Sequence, residues 1–142
     1  MKVSLTRRYK FAASHRLHAA SLSEAENQRI YGKCNNPYGH GHNYEVLVTL
    51  TGPVDAATGM IANLGELDPF VERHVVEALD HRNLNEEIAE FRDVVPTTEN
   101  LCAEIFRRLN SFQPARLERV KVEETSKNSF EIVAEPGASA RA

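Results

Sequence analysis

The chain has no tryptophan and only two cysteines, Cys34 and Cys102, in 142 residues. Two cysteines cannot form the disulfide framework that stabilises small secreted domains, so we expect free thiols in a reducing, cytoplasmic setting. The amino terminus, MKVSLTRRYKF, lacks the apolar segment of a secretory signal. No run approaches the roughly 20 apolar residues of a transmembrane helix, so we expect no membrane association.

The charge balance argues against a further class of function. Seventeen Lys and Arg against 20 Asp and Glu give a formal net charge of −3, whereas general nucleic-acid-binding domains are usually basic. We therefore expect no nucleic-acid partner. The length of 142 residues, without internal repeats or linkers, predicts a single domain over 1–142 with a loose tail at about 136–142.

Alternating apolar residues predict strands at both ends of the chain. The pattern has the period of two that is typical of half-buried strands, and it occurs in residues 3–15, 42–50, 117–124 and 130–134. A turn at Lys127-Asn128 joins the last two windows. The stretch Thr58–Ile61 predicts a further, shorter strand after a turn.

Two segments in the middle of the chain change to helical spacing. Glu66–Leu79 forms one amphipathic pattern, and a second follows Pro96, where Thr97 or Thr98 can cap the amino end. Cys102 lies on the apolar stripe of the second helix and is predicted to be a core residue. The order ββ(β)ααββ predicts an α+β fold with two helices on one face of an antiparallel sheet.

Histidines stand where the apolar faces of two predicted strands end. His40 and His42 are two apart on an extended backbone and share the parity of the apolar face, so they can grip one ion. His15 has the same parity on the first strand and can complete a set of three imidazoles. Three protein ligands leave a fourth position open, as in catalytic zinc sites. A polar turn with solvated imidazoles is the alternative.

Five other residues could carry chemistry. Cys34 is compatible with a fourth ligand, a thiolate with a lowered pKa, or an inert loop thiol. Asp80 either orients His81 for acid–base catalysis or caps the preceding helix. Glu124 is a solvated strand end or, if buried, an acceptor for a heterocycle rich in N–H groups. Arg7 interrupts an apolar face, and we predict that it meets a phosphate.

The chain resembles the 6-pyruvoyl-tetrahydropterin synthase family in six blocks that occur in the same order from Val3 to Ala134. The blocks are FAASHRLHAA, YGKCNNPYGHGHNYEV, DAATGMIANLGEL, LDHRNLN, VPTTENL and VKVEETSKN. The resemblance implies the tunnelling fold (T-fold), in which antiparallel sheets of several subunits join into a barrel. It also implies a homo-oligomer, typically a hexamer of two trimers, with sites between subunits.

The resemblance assigns roles to the same residues. One zinc ion per subunit falls on His15, His40 and His42. The catalytic cysteine falls on Cys34, which acts in proton transfer with the pair Asp80 and His81. Mg²⁺ accompanying a triphosphate is a further expectation, although the sequence contains no dedicated site for it.

The resemblance also implies a substrate, a small pterin triphosphate. The acid that anchors the pterin ring falls on Glu124, and Thr97, Thr98 and Glu99 match the segment that helps to hold the ring. The implied reaction is a lyase step of tetrahydrobiopterin biosynthesis. It converts 7,8-dihydroneopterin triphosphate to 6-pyruvoyl-tetrahydropterin by eliminating triphosphate and redistributing hydrogens.

Two alternatives stay open. The 6-carboxy-tetrahydropterin synthases of queuosine biosynthesis share the fold, the zinc and the substrate, but in them only three residues usually separate the cysteine from His-Gly-His. Here five residues, Asn35 to Gly39, intervene, which favours the pyruvoyl branch. A non-catalytic zinc-binding assembly protein is the second alternative, although it would need neither Cys34 nor the Asp80–His81 pair.

Overall fold

The computed structural model describes residues 2–136, which build one five-stranded sheet. Across the sheet the strands run in the order β3-β1-β2-β4-β5, and all neighbours are antiparallel except β3 and β1. Of the predicted tail at 136–142, all residues after Pro136 lie outside the described part of the chain. The strands are β1 (Lys2–His15), β2 (His40–Pro53), β3 (Arg82–Asn83), β4 (Arg116–Thr125) and β5 (Asn128–Val133).

The helices lie between the second and fourth strands, apart from one that precedes β2. Both predicted amphipathic helices are present, and the second is capped by Thr97, whose hydroxyl accepts the Asn100 N–H at 3.2 Å. None of the described helices is long and apolar enough to span a membrane. They are α1 (Glu24–Tyr31), α2 (Leu64–Val71), α3 (Glu77–Leu79), α4 (Leu84–Glu87) and α5 (Thr98–Leu109).

The core lies between one face of the sheet and the helices. Because α2 continues through a π-helical turn, Glu72–Val76, into α3, its apolar stripe stays on the sheet as far as Leu79. The stripe of α5 packs beside it, and Cys102 is buried there as predicted. The antiparallel sheet and the α+β class are therefore confirmed, with a helical layer on one face.

The predicted strand at Thr58–Ile61 is wrong. The segment is a closed loop, because the Asp55 carboxylate accepts the N–H groups of Ala57 and Thr58 at 2.8 and 2.9 Å and the Asp55 N–H donates to the Met60 carbonyl at 2.9 Å. These local bonds replace a strand ladder. The third strand lies at Arg82–Asn83 instead and pairs in parallel with the end of β1.

Helix α1 and the position of the last turn were also missed. In α1 the only buried residue is Asn27, so there is no apolar stripe, and the helix is specified by a capping box between Ser23 and Glu26. The hairpin between β4 and β5 turns at residues 126–127, one position before the predicted Lys127-Asn128, because Thr125 pairs with Asn128.

A charged network ties α5 to the rest of the helical layer. The largely buried Glu104 accepts from Arg107 at 2.5 Å and from Arg108 at 2.6 Å, and Arg108 also donates to the His74 carbonyl in the π-helical turn at 3.2 Å. Burial works to raise the pKa of Glu104, but the two guanidinium groups bring it below its ordinary value of 4.5. The ionised carboxylate therefore stabilises the fold at pH values above 4.5, and this stabilisation is lost as the pH falls through the lowered pKa.

We expect Glu104→Gln to lower the free energy of unfolding at pH 7 by about 1 kcal/mol. The difference from wild type should shrink as the pH falls through the lowered pKa of Glu104, because the wild-type carboxylate then becomes neutral as well. Urea unfolding at pH 7 and pH 3 measures this. The control is Glu131→Gln, because Glu131 lies on the edge strand β5 and its carboxylate is 3.9 Å from the Arg119 guanidinium. An equal difference at both pH values would contradict the prediction.

Candidate metal centre

Four metal-capable side chains converge at one end of the sheet. The ligand atoms of His15, Cys34, His40 and His42 all lie within 4.8 Å of one another. The centroids of the three imidazole rings lie 4.7 to 5.5 Å apart, with His15 and His40 stacked and His42 edge-on to both. The predicted convergence of the three histidines is thus present in the structure, and the loop thiol joins it.

The register of β1 and β2 brings the histidines together. His15 lies directly opposite His40, and Ala13 lies opposite His42. Residues of equal parity on an extended strand point to the same face, so all three imidazoles stand on the face that carries the core.

The orientation of the His15 ring is fixed by a backbone carbonyl. His15 is fully buried, and its Nδ1 lies 2.9 Å from the carbonyl oxygen of Pro96, just before α5. A carbonyl only accepts, so Nδ1 carries the proton and the lone pair of Nε2 is free. Burial lowers the pKa of His15, which keeps the ring neutral and able to ligate.

Cys34 reaches the cluster through a short loop after α1. Its Sγ lies 3.0 Å from Nε2 of His40, and its carbonyl accepts the Leu17 N–H at 2.7 Å, so the loop is tied to the end of β1. Burial, together with the nearby Glu124 carboxylate, raises the pKa of the Cys34 thiol. A lowered thiol pKa, one of the three possibilities that the sequence left open for Cys34, is therefore not produced by the protein side chains alone.

Glu124 forms the acidic wall of the centre. Its carboxylate accepts from Thr98 Oγ1 at 2.6 Å and from Asn128 Nδ2 at 3.0 Å, and it lies 3.5 Å from Nε2 of His42. Glu124 has the parity of the buried Val120 and Val122, so its side chain points to the face that carries the histidines, and the β4–β5 register shifts at this position. Burial opposes ionisation, but the bonds from Thr98 and Asn128 and the adjacent His42 lower the pKa of Glu124. Burial also lowers the pKa of His42.

Asp80 and His81 form a hydrogen-bonded pair outside the cluster. The Asp80 carboxylate lies 2.9 Å from His81 Nδ1 and accepts the Ala12 N–H at 2.8 Å, and this backbone bond is the main cause of its lowered pKa. The His81 side chain is 82% exposed, with φ at +60°. No contact among the described residues joins the pair to Cys34, so one chain does not assemble all three predicted catalytic residues.

Other predicted site residues are distributed differently. Thr98 is buried and bonded to Glu124, whereas Thr97 serves as the helix cap and Glu99 is exposed. Arg7 lies eight positions along β1 from His15, and its guanidinium makes a two-point ion pair with Asp68 at 2.9 and 3.1 Å. The structure therefore does not bring Arg7 to the cluster.

Two contributors to the site escaped the sequence interpretation. The Pro96 carbonyl orients His15, and the Asn128 amide holds Glu124. A main-chain carbonyl leaves no trace in residue type. Asn128 follows the β4–β5 turn, and its position four residues after Glu124 was the available signal.

The donor set fits a zinc ion. Nε2 of His15 and Nε2 of His42 are buried without a hydrogen-bond partner, which is costly unless a ligand completes them. Neutral imidazoles with or without a thiolate are the ligands that Zn²⁺ prefers, and a backbone carbonyl on the outer nitrogen of His15 is a usual support for such ligands. The ion could be held by His15, His40 and His42, with Cys34 next to it.

The chain is similar to known proteins of one family. A family model described as 6-pyruvoyl tetrahydropterin synthase matches residues 4–135. The chain belongs to this family. The 6-pyruvoyl tetrahydrobiopterin synthase of Poecilia reticulata is 48% identical over 87% of this chain and 85% of its own, and that of Homo sapiens is 47% identical over 89% and 88%.

Solved structures of the family share the fold. The Caenorhabditis elegans 6-pyruvoyl tetrahydropterin synthase superposes with a TM-score of 0.90 at 41% identity, covering 95% of this chain and 97% of the other. The predicted T-fold of the subunit is thereby confirmed. A putative 6-carboxy-5,6,7,8-tetrahydropterin synthase of Archaeoglobus fulgidus is also similar, at 34% identity over 80% of this chain and 90% of its own.

Gly39 is predicted to be essential for the geometry of the centre. Its φ is +73°, and a Cβ here would lie 2.9 Å from the His15 carbonyl oxygen. We expect Gly39→Ala to displace the end of β1 and to weaken zinc binding by roughly tenfold to 100-fold, as measured by competition with a chromophoric chelator.

Gly59→Ala is the matched control for Gly39→Ala. Gly59 has nearly the same φ, +74°, but a Cβ there would meet nothing within 4 Å. The Gly59→Ala protein should lose about 1–2 kcal/mol of stability from backbone strain and keep the zinc affinity of wild type. Wild-type zinc affinity in Gly39→Ala would show that the close approach to His15 has no influence on the centre.

Proposed function

We propose that this chain is a zinc-dependent lyase that converts 7,8-dihydroneopterin triphosphate to 6-pyruvoyl-tetrahydropterin in tetrahydrobiopterin biosynthesis. The observation that carries the proposal is the convergence of three imidazoles and a thiol within 4.8 Å. It occurs in a chain 47–48% identical to animal proteins named for that activity. The proposed active unit is one T-fold domain over residues 1–142.

The three histidines are the proposed ligands of one zinc ion per subunit. Bound there, zinc would supply Lewis-acid chemistry that acidifies C–H bonds next to a substrate oxygen. The protein contributes the preorganisation, since His15 is locked by Pro96 and burial keeps His15 and His42 neutral. Mg²⁺ is proposed only as a companion of the triphosphate.

Cys34 is the proposed base. Its sulfur lies 3.0 Å from His40, at the edge of the metal-binding atoms, so it can accept a proton from a carbon held beside them. The raised pKa of the thiol in the metal-free chain means that ionisation depends on added positive charge. A base of this kind must stay reduced, which supports a cytoplasmic setting.

Glu124 is the proposed anchor of the pterin ring. Thr98 and Asn128 occupy part of its acceptor capacity and keep it ionised, leaving lone pairs for the N–H groups along the guanidine-like edge of a pterin. Thr97 and Glu99 flank Thr98 at the start of α5 and are proposed to line the same region. An anchored ring places the side chain of the substrate beside the histidines.

Asp80 and His81 are proposed to complete the site of another subunit. Within one chain the pair is exposed and not joined to Cys34, yet its hydrogen bond is suited to proton transfer. It lies on the outer edge of β1, where β3 covers only Ala13 and Ser14. An uncovered strand edge favours pairing with a second copy. We therefore propose a homo-oligomer, a hexamer of two trimers, with sites between subunits.

One structural feature favours a different class of function. With four donors within 4.8 Å, Cys34 could close the coordination shell and make the zinc purely structural. A structural zinc site predicts that Cys34→Ala loses the bound zinc, whereas the enzyme proposal predicts that this variant keeps it.

Turnover of dihydroneopterin triphosphate by the zinc-loaded protein tests the proposal. We expect a pyruvoyl product, identified by mass, and a loss of at least about 100-fold in kcat for Cys34→Ala with the zinc content retained. A 6-carboxy product with acetaldehyde would assign the protein to the queuosine branch. No turnover by wild type with zinc bound would contradict the lyase proposal.

Mixing two inactive variants tests the shared site. Cys34→Ala and His81→Asn should each be inactive, and Asn is chosen because it tolerates the positive φ of His81. After co-refolding in equal amounts, about a quarter of the sites should combine an intact Cys34 with an intact His81 from a neighbour. If activity does not return in mixed oligomers, both residues act within one chain.

A further inference from the structure

The unpartnered polar atoms of the interior concentrate around the metal centre. Among the described residues, five buried side-chain nitrogen or oxygen atoms have no hydrogen-bond partner. Two belong to Arg116 and Arg119. Two are the nitrogens of His15 and His42 discussed above. The fifth is the hydroxyl oxygen of Tyr44, which the metal-binding arrangement does not explain.

Tyr44 is held rigidly beneath the histidines. Its side chain is 1% exposed. The ring stacks on Phe11, with centroids 5.2 Å apart and planes inclined by 25°, and it packs edge-on against His42 at 5.6 Å. The hydroxyl is therefore enclosed and cannot turn out to water, so any partner must be among the groups packed around it.

Glu124 is the neighbour suited to that role. The β2–β4 ladder pairs Glu45 with Glu123, and one further step brings Tyr44 next to Glu124. Burial raises the pKa of the Tyr44 hydroxyl, and the nearby Glu124 carboxylate raises it further, whereas Thr98 lowers it. Thr98 gives its hydrogen to the Glu124 carboxylate, which also lies 3.5 Å from His42 Nε2. The Thr98 oxygen can still accept a hydrogen, but an ionised carboxylate is the stronger acceptor for that of a phenol.

An enclosed hydroxyl without a partner is a net cost to the ligand-free fold. Phenylalanine would keep the stacking on Phe11 without that cost. The hydroxyl is therefore explained by a bond made in the loaded site. There the lone pair of His42 Nε2 would be directed to the ion, and the Glu124 carboxylate, 3.5 Å from that nitrogen without a hydrogen bond to it, would be available to Tyr44.

We infer that Tyr44 is a positioning residue of the pterin site, resting on the function proposed above. Its hydroxyl donates a hydrogen bond to the Glu124 carboxylate in the loaded protein and holds that carboxylate against the N–H edge of the heterocycle. Tyr44 does not touch the substrate and is not a metal ligand. The effect is on ring binding, so KM changes more than kcat.

Tyr44→Phe tests the inference, with neopterin as a probe that carries the heterocycle without the triphosphate. We expect the Kd for neopterin, measured by calorimetry on the zinc-loaded protein, to rise about tenfold, as for loss of a hydrogen bond to a charged group. The zinc content should equal that of wild type. The thermal midpoint of the metal-free and ligand-free variant should be unchanged or higher.

Tyr9→Phe is the matched control on the neighbouring strand. Tyr9 is 7% exposed, and its hydroxyl donates to Asp68 at 2.7 Å, away from the histidines. This variant should lose thermal stability and bind neopterin as wild type does. Both substitutions remove a tyrosine hydroxyl oxygen. A loss of neopterin affinity alone identifies a hydroxyl that acts in binding, whereas a loss of thermal stability alone identifies one that acts in the fold.

Three results would overturn the inference. They are wild-type neopterin affinity in Tyr44→Phe, a fall in its thermal midpoint as large as that of Tyr9→Phe, and a loss of zinc. Failure of the proposed function is seen separately, because wild-type protein would then neither turn over dihydroneopterin triphosphate nor bind neopterin, and the inference would fall with it.

Discussion

The antiparallel register of β1 and β2 is the constraint on which the site depends. It sets His15 opposite His40 and keeps both on the core face with His42. A slip of one residue would turn one strand's histidines to the other face of the sheet. The register is fixed by the apolar faces of the same strands, where Phe11 stacks on Tyr44. Burial of the core and assembly of the metal centre are thus one structural event.

The start of α5 joins the two halves of the centre. Pro96 fixes the imidazole of His15 through its carbonyl, and two residues later Thr98 donates to Glu124. One rigid segment therefore orients a proposed metal ligand and the proposed pterin anchor, so the distance between ion and ring depends on how α5 packs. The Glu104 network secures the far part of that helix. The Glu104 network thereby influences the position of the centre although none of its residues contacts the centre.

The sequence predicted the elements that strict periodicity defines. Parity alone placed His15, His40 and His42 on one face, and the apolar stripe of α5 placed Cys102 in the core. Helix α1 was missed because a capping box, and no apolar stripe, specifies it. Parity could not show that Arg7 pairs with Asp68, since Asp68 comes from a helix 61 residues away. Nor could it show that His81 is exposed on an outer sheet edge, because that depends on how the helix ends after Leu79.

The central claim is that three imidazoles hold the metal while Cys34 stands beside it as a free base. Cobalt(II) substitution tests this most directly, because a thiolate ligand produces an intense sulfur-to-metal charge-transfer band and imidazoles do not. The account predicts a spectrum without that band, unchanged in Cys34→Ala, and zinc X-ray absorption with only nitrogen and oxygen neighbours near 2.0–2.1 Å. A charge-transfer band lost in Cys34→Ala, with a sulfur neighbour near 2.3 Å in the zinc protein, would contradict it.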